Sequence, residues 1–168
     1  MDNIILIGFM GCGKSSIGRT LASRGYSLVD TDEYIEARTG TTIKNIFATK
    51  GEEYFRQLET DAIEDLLDTQ KNNMVIAVGG GLPIKEQNRK LLKKLGHVIY
   101  LTADVGTLVN RLKGDDKRPL LQSGTLEDKI NSLMRERKFI YESVADVKIS
   151  TDNKSFTAIA DEIMEQIQ

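Results

Sequence analysis

Apolar positions fall along this chain in two alternating rhythms. Short runs of consecutive apolar residues predict buried strands at Asn3–Ile7, Ser27–Asp30, Met74–Val78, His97–Leu101 and Asp146–Ser150. Between them, apolar residues recur every three to four positions. That spacing predicts helices over Ser15–Arg24, Asp32–Arg38, Glu52–Thr69, Lys85–Leu95, Val105–Leu112, Leu126–Glu142 and Ser155–Ile167. Thr42 is placed to cap a further short helix through Ala48. Ile17, Leu21 and Ala22 should form the inner face of the first helix. Phe156, Ile159, Ala160, Ile163 and Ile167 should form one apolar stripe on the last. Gly25 and Gly40 stand where helices should stop.

Strand and helix alternate from end to end, so the expected fold is α/β. It is a three-layer sandwich in which a five-stranded parallel sheet is flanked by helices, formed by a single domain over residues 1–168. Ligands of such sheets bind beyond the carboxyl ends of the strands, so the loops there are the place to seek chemistry.

The loop after the first strand is the most specific. Gly8-Phe9-Met10-Gly11-Cys12-Gly13-Lys14-Ser15 fits G-x-x-x-x-G-K-[ST] between a strand and a helix. Gly11, Cys12, Gly13 and the opening of the helix can wrap backbone N–H groups around phosphate oxygens, aided by the helix dipole. Lys14 can reach the terminal phosphates, Ser15 can ligate Mg²⁺, and Ser16 follows in the same turn. The chain is therefore read as binding a nucleoside triphosphate.

Other strand ends carry less specific signals. Asp30-Thr31-Asp32 closes the second strand. Residues two apart on a strand share a side, so one carboxylate could serve Mg²⁺ waters and the other a substrate hydroxyl. Capping of the next helix is the competing reading, and Asp30-x-x-Glu33 resembles a capping box. Gly79-Gly80-Gly81 ends the third strand and implies either close approach of a ligand or a tight turn. Arg56 stands beside Tyr54 and Phe55. Arg135 and Arg137, two apart on a helix, cannot share a face. An arginine fork suits a carboxylate or phosphate, although most helical arginines are solvated or paired to an acid. The segment 113–124, charged and containing Gly114, Pro119 and Gly124, reads as a lid bringing Arg118 to a transferred phosphoryl group, or else as a plain solvent loop.

Composition narrows the classes. With 40% apolar and 29% charged residues the chain is that of an ordinary soluble protein. A net charge of −2 without long Lys or Arg runs argues against nucleic acid or a membrane surface as the main partner. No apolar run approaches membrane-spanning length, and no basic segment precedes the first apolar stretch, so no signal peptide is expected. The single cysteine, Cys12, rules out an internal disulfide and suits a reducing cytoplasm. A single histidine, His97, excludes a His-rich metal site.

These segments together resemble shikimate kinase over essentially the whole chain. The agreeing residues are Gly8–Ser16, Asp30-Thr31-Asp32 leading into Glu36-x-x-Thr39-Gly40, Ile46-Phe47-Ala48 followed by Gly51-Glu52, and Phe55-Arg56-x-x-Glu59. Gly79–Gly81, Arg118-Pro119-Leu120-Leu121 and Arg137 ahead of Tyr141 follow in order. The resemblance implies a nucleoside monophosphate kinase fold, with a substrate-binding region at about 32–60 and a lid at about 113–124. It implies transfer of the ATP γ-phosphate to the 3-hydroxyl of shikimate, with Mg²⁺, in a cytoplasmic monomer of the aromatic amino-acid pathway. It also implies roles. Lys14 and the loop backbone hold phosphates, and Ser15 with Asp30 serves the metal. Asp32 contacts the shikimate hydroxyls as candidate base. Arg56 and Arg137 clamp the carboxylate, with Gly79, Gly80 and Gly81 alongside. Arg118 is the lid arginine, Arg111 stacks on adenine, and Glu59 orients Arg56.

One departure stands out. Some relatives place a proline after the fifth strand, opposite the adenine-stacking arginine, and Thr151–Phe156 (TDNKSF) has none. Two rivals remain open on sequence. A gluconate kinase of the same architecture would also need a carboxylate clamp. A nucleotide-dependent switch would carry Asp-x-x-Gly and Asn-Lys-x-Asp, which this chain lacks.

Overall fold

The computed structural model describes residues 1–113 and 125–168. The expected strands are all present as β1 (Ile4–Ile7), β2 (Ser27–Asp30), β3 (Met74–Ala77), β4 (His97–Thr102) and β5 (Val147–Ser150). They form one parallel sheet in the order β2-β3-β1-β4-β5. The central strands β1 and β3 are buried at every position, whereas the edge strands β2 and β5 are partly exposed. This is the burial expected of a sheet covered on both faces.

Alternation along β1 divides the core. Ile4 and Leu6 join Val75, Ile99 and Leu101 on one face, where α1 (Lys14–Ala22) and α8 (Phe156–Gln166) contribute Ile17, Leu21, Ile159 and Ile163. Ile5 and Ile7 join Ile76, Val98 and Tyr100 on the other. There α4 (Glu52–Asp68), α5 (Glu86–Leu95) and α7 (Leu126–Val144) supply Ile63, Leu92 and Tyr141. A smaller cluster of Ile35, Ile46, Phe55 and Ala62 ties α2 (Thr31–Thr39) and α3 (Ile43–Lys50) to α4. Thr42 caps α3 as its spacing predicts, accepting from Asn45 N–H. Among the described residues, α6 (Val105–Leu112) completes the helices, and no helix is long and apolar enough to cross a membrane.

Two expectations need correction. Asp30 and Asp32 do not lie on one strand: Asp30 ends β2 and caps α2, and Asp32 is in the first turn of that helix. The chain turns into helix one residue earlier than the strand pattern suggested, because the Asp30 carboxylate satisfies the first free N–H groups. Phe156 does not join the buried stripe of α8. It is 46% exposed at the start of the helix, where its ring faces the carboxyl edge of the sheet. Residues 114–124 of the expected lid, Arg118 among them, lie outside the described residues.

Candidate active site

The sheet order brings the loops after β1, β3 and β2 side by side, and they border one cavity of about 980 Å³. Its nucleotide end is the glycine loop. Gly11 and Gly13 have φ of 82° and 93°, a left-handed backbone that a side chain would strain, and Gly13 caps α1. Cys12 N–H closes the turn onto the Phe9 carbonyl, and its side chain is buried in the core. Lys14 Nζ donates to the carbonyls of Gly8 (2.9 Å) and Phe9 (3.0 Å), which hold the ammonium across the mouth of the loop. Ser15 Oγ donates to Asp30 Oδ2 at 2.6 Å, while Asp30 Oδ1 accepts from the N–H groups of Asp32 and Glu33. The capping reading of Asp30 therefore holds for one oxygen, and the other oxygen faces Ser15. Ser16 lines the same cavity, and Arg111 reaches back from α6 to donate to the Gly11 carbonyl at 2.9 Å.

The other end of the cavity is built on Gly79-Gly80-Gly81. These glycines are required by close approach. A methyl group on Gly79 would stand 2.8 Å from Glu59 Oε2 and 3.0 Å from Asp32 Oδ1. One on Gly80 would press on Arg137 Nη1 at 3.3 Å, and one on Gly81 would overlap the Arg56 guanidinium. Four charged side chains from three helices therefore converge on one stretch of bare backbone. The stretch is itself anchored: Gly79 N–H donates to Thr31 Oγ1, and Tyr141 O–H donates to the Gly80 carbonyl at 2.5 Å. Buried Asn88 links the following turn to α4, donating to the Leu82 carbonyl and accepting from Thr60.

The electrostatics follow from burial. Arg56 Nη1 donates to Glu59 Oε1 at 2.6 Å, and Nη2 pairs with Glu52 at 3.3 Å. Burial works against the Arg56 charge, but these two acids outweigh it and raise its pKa. Glu59 has no exposed side-chain surface, and burial pushes it up to about 7 despite Arg56 and Arg137, with Asp32 adding to the rise. Burial also raises Tyr141 well above the usual phenol range, which keeps its proton on the oxygen that donates to Gly80. Arg137 is 2% exposed, lies over the Phe9 ring, and has no hydrogen-bond partner for Nε or Nη1 among the described residues. A guanidinium so buried, with two nitrogens unpaired among the described residues, has donors available for an anion. Arg135, by contrast, is exposed and donates to the Asn131 carbonyl, as expected of two arginines that cannot share a face.

Sequence reasoning names Tyr141 beside Arg137 without a role and places Phe156 in the apolar stripe of the last helix. Tyr141 follows Arg137 by four residues, a spacing that puts both on one helix face and could have flagged the pair. A methyl on Gly13 would meet the Phe156 ring at 3.5 Å, and the ring lines the same cavity as Arg111. An aromatic just beyond a carboxyl-terminal strand end was the available signal.

This fold and this loop define a P-loop kinase. The family model for shikimate kinase matches residues 10–168. The chain is 45% identical to a shikimate kinase of Persephonella marina, with 100% of each covered. It is 45% identical to one of Legionella pneumophila (strain Paris), over 98% of this chain and 94% of that one. Among solved structures, the shikimate kinase of Acinetobacter baumannii in complex with shikimate superposes with a TM-score of 0.94 at 38% identity, covering 99% of this chain and 93% of that one. The enzyme from Aquifex aeolicus gives 0.83 at 36% identity, covering 98% and 95%. The chain belongs to the shikimate kinase family, and it is an enzyme, a kinase, of that family.

Proposed function

We propose that the protein transfers the γ-phosphate of ATP to the 3-hydroxyl of shikimate, giving shikimate 3-phosphate and ADP. One observation carries the assignment of the acceptor end. Buried Arg137, with donors to spare, and Arg56 converge on the triple-glycine loop beside Asp32, in the cavity the phosphate loop borders. A small acid with hydroxyl groups fits that arrangement: its carboxylate meets the two guanidinium groups, and its hydroxyls meet Asp32. Amides of the Gly80–Gly81 turn complete the cradle.

Chemistry here is mainly positioning and charge neutralisation. Lys14 moves from the loop carbonyls to the β- and γ-phosphates, and the loop amides replace their hydration. Asp32 orients the acceptor hydroxyl toward the phosphorus and takes its proton as the bond to phosphorus forms. Arg118, from the 113–124 lid, meets charge on the transferred group. Arg111 and Phe156 flank the nucleobase.

Mg²⁺ fits the donors present. Among the described residues no three acids, cysteines or histidines cluster as a metal cage. The 2.6 Å pair of Ser15 and Asp30 is instead suited to a cation that keeps waters and phosphate oxygens as its other ligands. Ser15 would bind the ion and Asp30 its waters; when bound, it neutralises phosphate charge. The enzyme acts as a cytoplasmic monomer, a reading supported by the family likeness and the cysteine-poor composition.

ADP release from Mg-ATP with shikimate, with gluconate or with no acceptor tests the proposal. Release dependent on shikimate is expected. Release with gluconate, or without any acceptor, would force Asp32, Arg56 and Arg137 into other roles.

A further inference from the structure

Glu59 is fully buried beside two arginines, yet one of its carboxylate oxygens has no hydrogen-bond partner among the described residues. Oε1 is occupied by Arg56, whereas Oε2 borders the same small space above Gly79 as Asp32 Oδ1. Two ionised carboxylates facing one space repel. A proton on Glu59 Oε2 reverses that. The O–H donates toward Asp32, and Oε1 still accepts from Arg56 as a carbonyl oxygen.

The charges around Glu59 are closely balanced. Arg56 on its own helix and Arg137 on α7 favour the ionised form. Burial and Asp32 on α2 oppose it, and Glu52 competes for Arg56 from the exposed side. The balance lies near neutrality, so a small added charge tips it. An acceptor carboxylate is such a charge, because it engages the two guanidinium groups that stabilise ionised Glu59.

We infer that binding of the acceptor carboxylate, read as shikimate's in the proposed function, is coupled to uptake of one proton by Glu59 Oε2, which then donates to Asp32 and fixes that carboxylate toward the acceptor hydroxyl. Glu59 is a positioning residue. It acts through Asp32, and above about pH 7 the filled clamp restores the proton it donates there. The linkage has a definite sign. Affinity for shikimate is flat on the acid side of about pH 7 and falls as pH rises beyond it, by up to about tenfold per pH unit.

Calorimetric titration of shikimate into the full chain at pH 8, in phosphate and in Tris, tests this. The two buffers differ widely in ionisation enthalpy, so proton uptake appears as a difference in heat. Wild type should take up close to one proton. Glu59→Gln keeps an N–H donor toward Asp32 and a carbonyl toward Arg56. It should bind at least as well at pH 8, with no buffer-dependent heat and a flat pH profile. Buffer-independent heat in wild type, uptake retained in the variant, or a folded variant that cannot bind would each overturn the inference. If Glu59→Gln does not fold, the wild-type pair of titrations still decides. Wild type that fails to bind shikimate in either buffer would remove the acceptor reading itself, a distinguishable result.

Discussion

The Ser15 hydroxyl donates to Asp30 Oδ2 at 2.6 Å, while the other oxygen of the same carboxylate caps α2. One acid therefore serves the phosphate loop and the neighbouring helix, and the two duties can be separated by mutation. Ser15→Ala leaves the cap in place. It should cost about 0.5–1.5 kcal/mol for the lost hydrogen bond while raising the KM for Mg-ATP at least about tenfold. Asp30→Ala removes both, adding a stability loss of about 1 kcal/mol. Urea denaturation beside steady-state kinetics checks the pair; equal stability losses in both variants would dissolve the division.

Arg56 and Arg137 reach the same glycine loop from different helices, so neither can replace the other. Truncating either to alanine should cost about 2–4 kcal/mol in kcat/KM for shikimate, by analogy with broken buried charge pairs. Affinity for Mg-ATP should be nearly unchanged. An Arg56→Ala enzyme with an unaltered rate would remove that residue from the clamp.

Most of this architecture is readable in the sequence because its signals are local. The apolar runs of β1 and β3 mark strands buried on both faces, and Thr42 and Gly40 bound helices by their own backbone chemistry. The lateral order of the strands is not local, and with it goes the reason Gly79–Gly81 meets Arg56 and Arg137. Arg137 and Arg135 look alike in sequence, yet one is buried and the other exposed. Phe156 misled for a related reason: it fits the helical stripe, but its position on the first turn carries it past the edge of the core. Asp30 is ambiguous in sequence because one of its oxygens caps α2 while the other meets Ser15.

Two glycines separate site effects from fold effects. A methyl on Gly81 overlaps the end of the Arg56 side chain, which can move aside. Gly81→Ala should therefore fold and raise the KM for shikimate, with the KM for ATP unchanged. A methyl on Gly96 overlaps the backbone carbonyl of Asn3, which accepts from His97 N–H at 2.9 Å. The Asn3 side chain also ties Met74, Lys71 and Leu95 together, so that backbone cannot yield. Gly96→Ala should lose about 1–3 kcal/mol of stability and keep its KM values. Thermal melts and kinetics on both variants would expose any reversal.

Phe156 supplies an exposed ring close to Gly13, in the TDNKSF segment that lacks the proline some relatives carry. If the ring stacks on the nucleobase, Phe156→Ala should lose about 0.5–1.5 kcal/mol of ATP binding. Phe156→Tyr should retain it, and the KM for shikimate should be indifferent to both. Unchanged ATP affinity in the alanine variant would leave the ring without a role in the site.

Burial raises Glu59 from 4.5 to about 7, and this has a consequence for folding apart from substrate. In the unfolded chain the carboxyl ionises near its ordinary value, whereas in the fold it stays protonated to higher pH. The native state therefore binds more protons between these limits, and stability must fall as pH rises across them. The contribution is fully present below about pH 4.5 and lost by the time pH passes about 7. A shift of this size corresponds to something on the order of 3 kcal/mol. Glu59→Gln has no such proton to lose, so the difference in unfolding free energy between variant and wild type should move in the variant's favour from pH 5 to pH 8. Denaturant titrations of both proteins at each pH give that difference directly, and other titrating groups cancel from it. A difference that stays constant with pH would mean that Glu59 ionises in the fold as it does in the unfolded chain. Its contact with Arg56 would then be an ordinary ion pair.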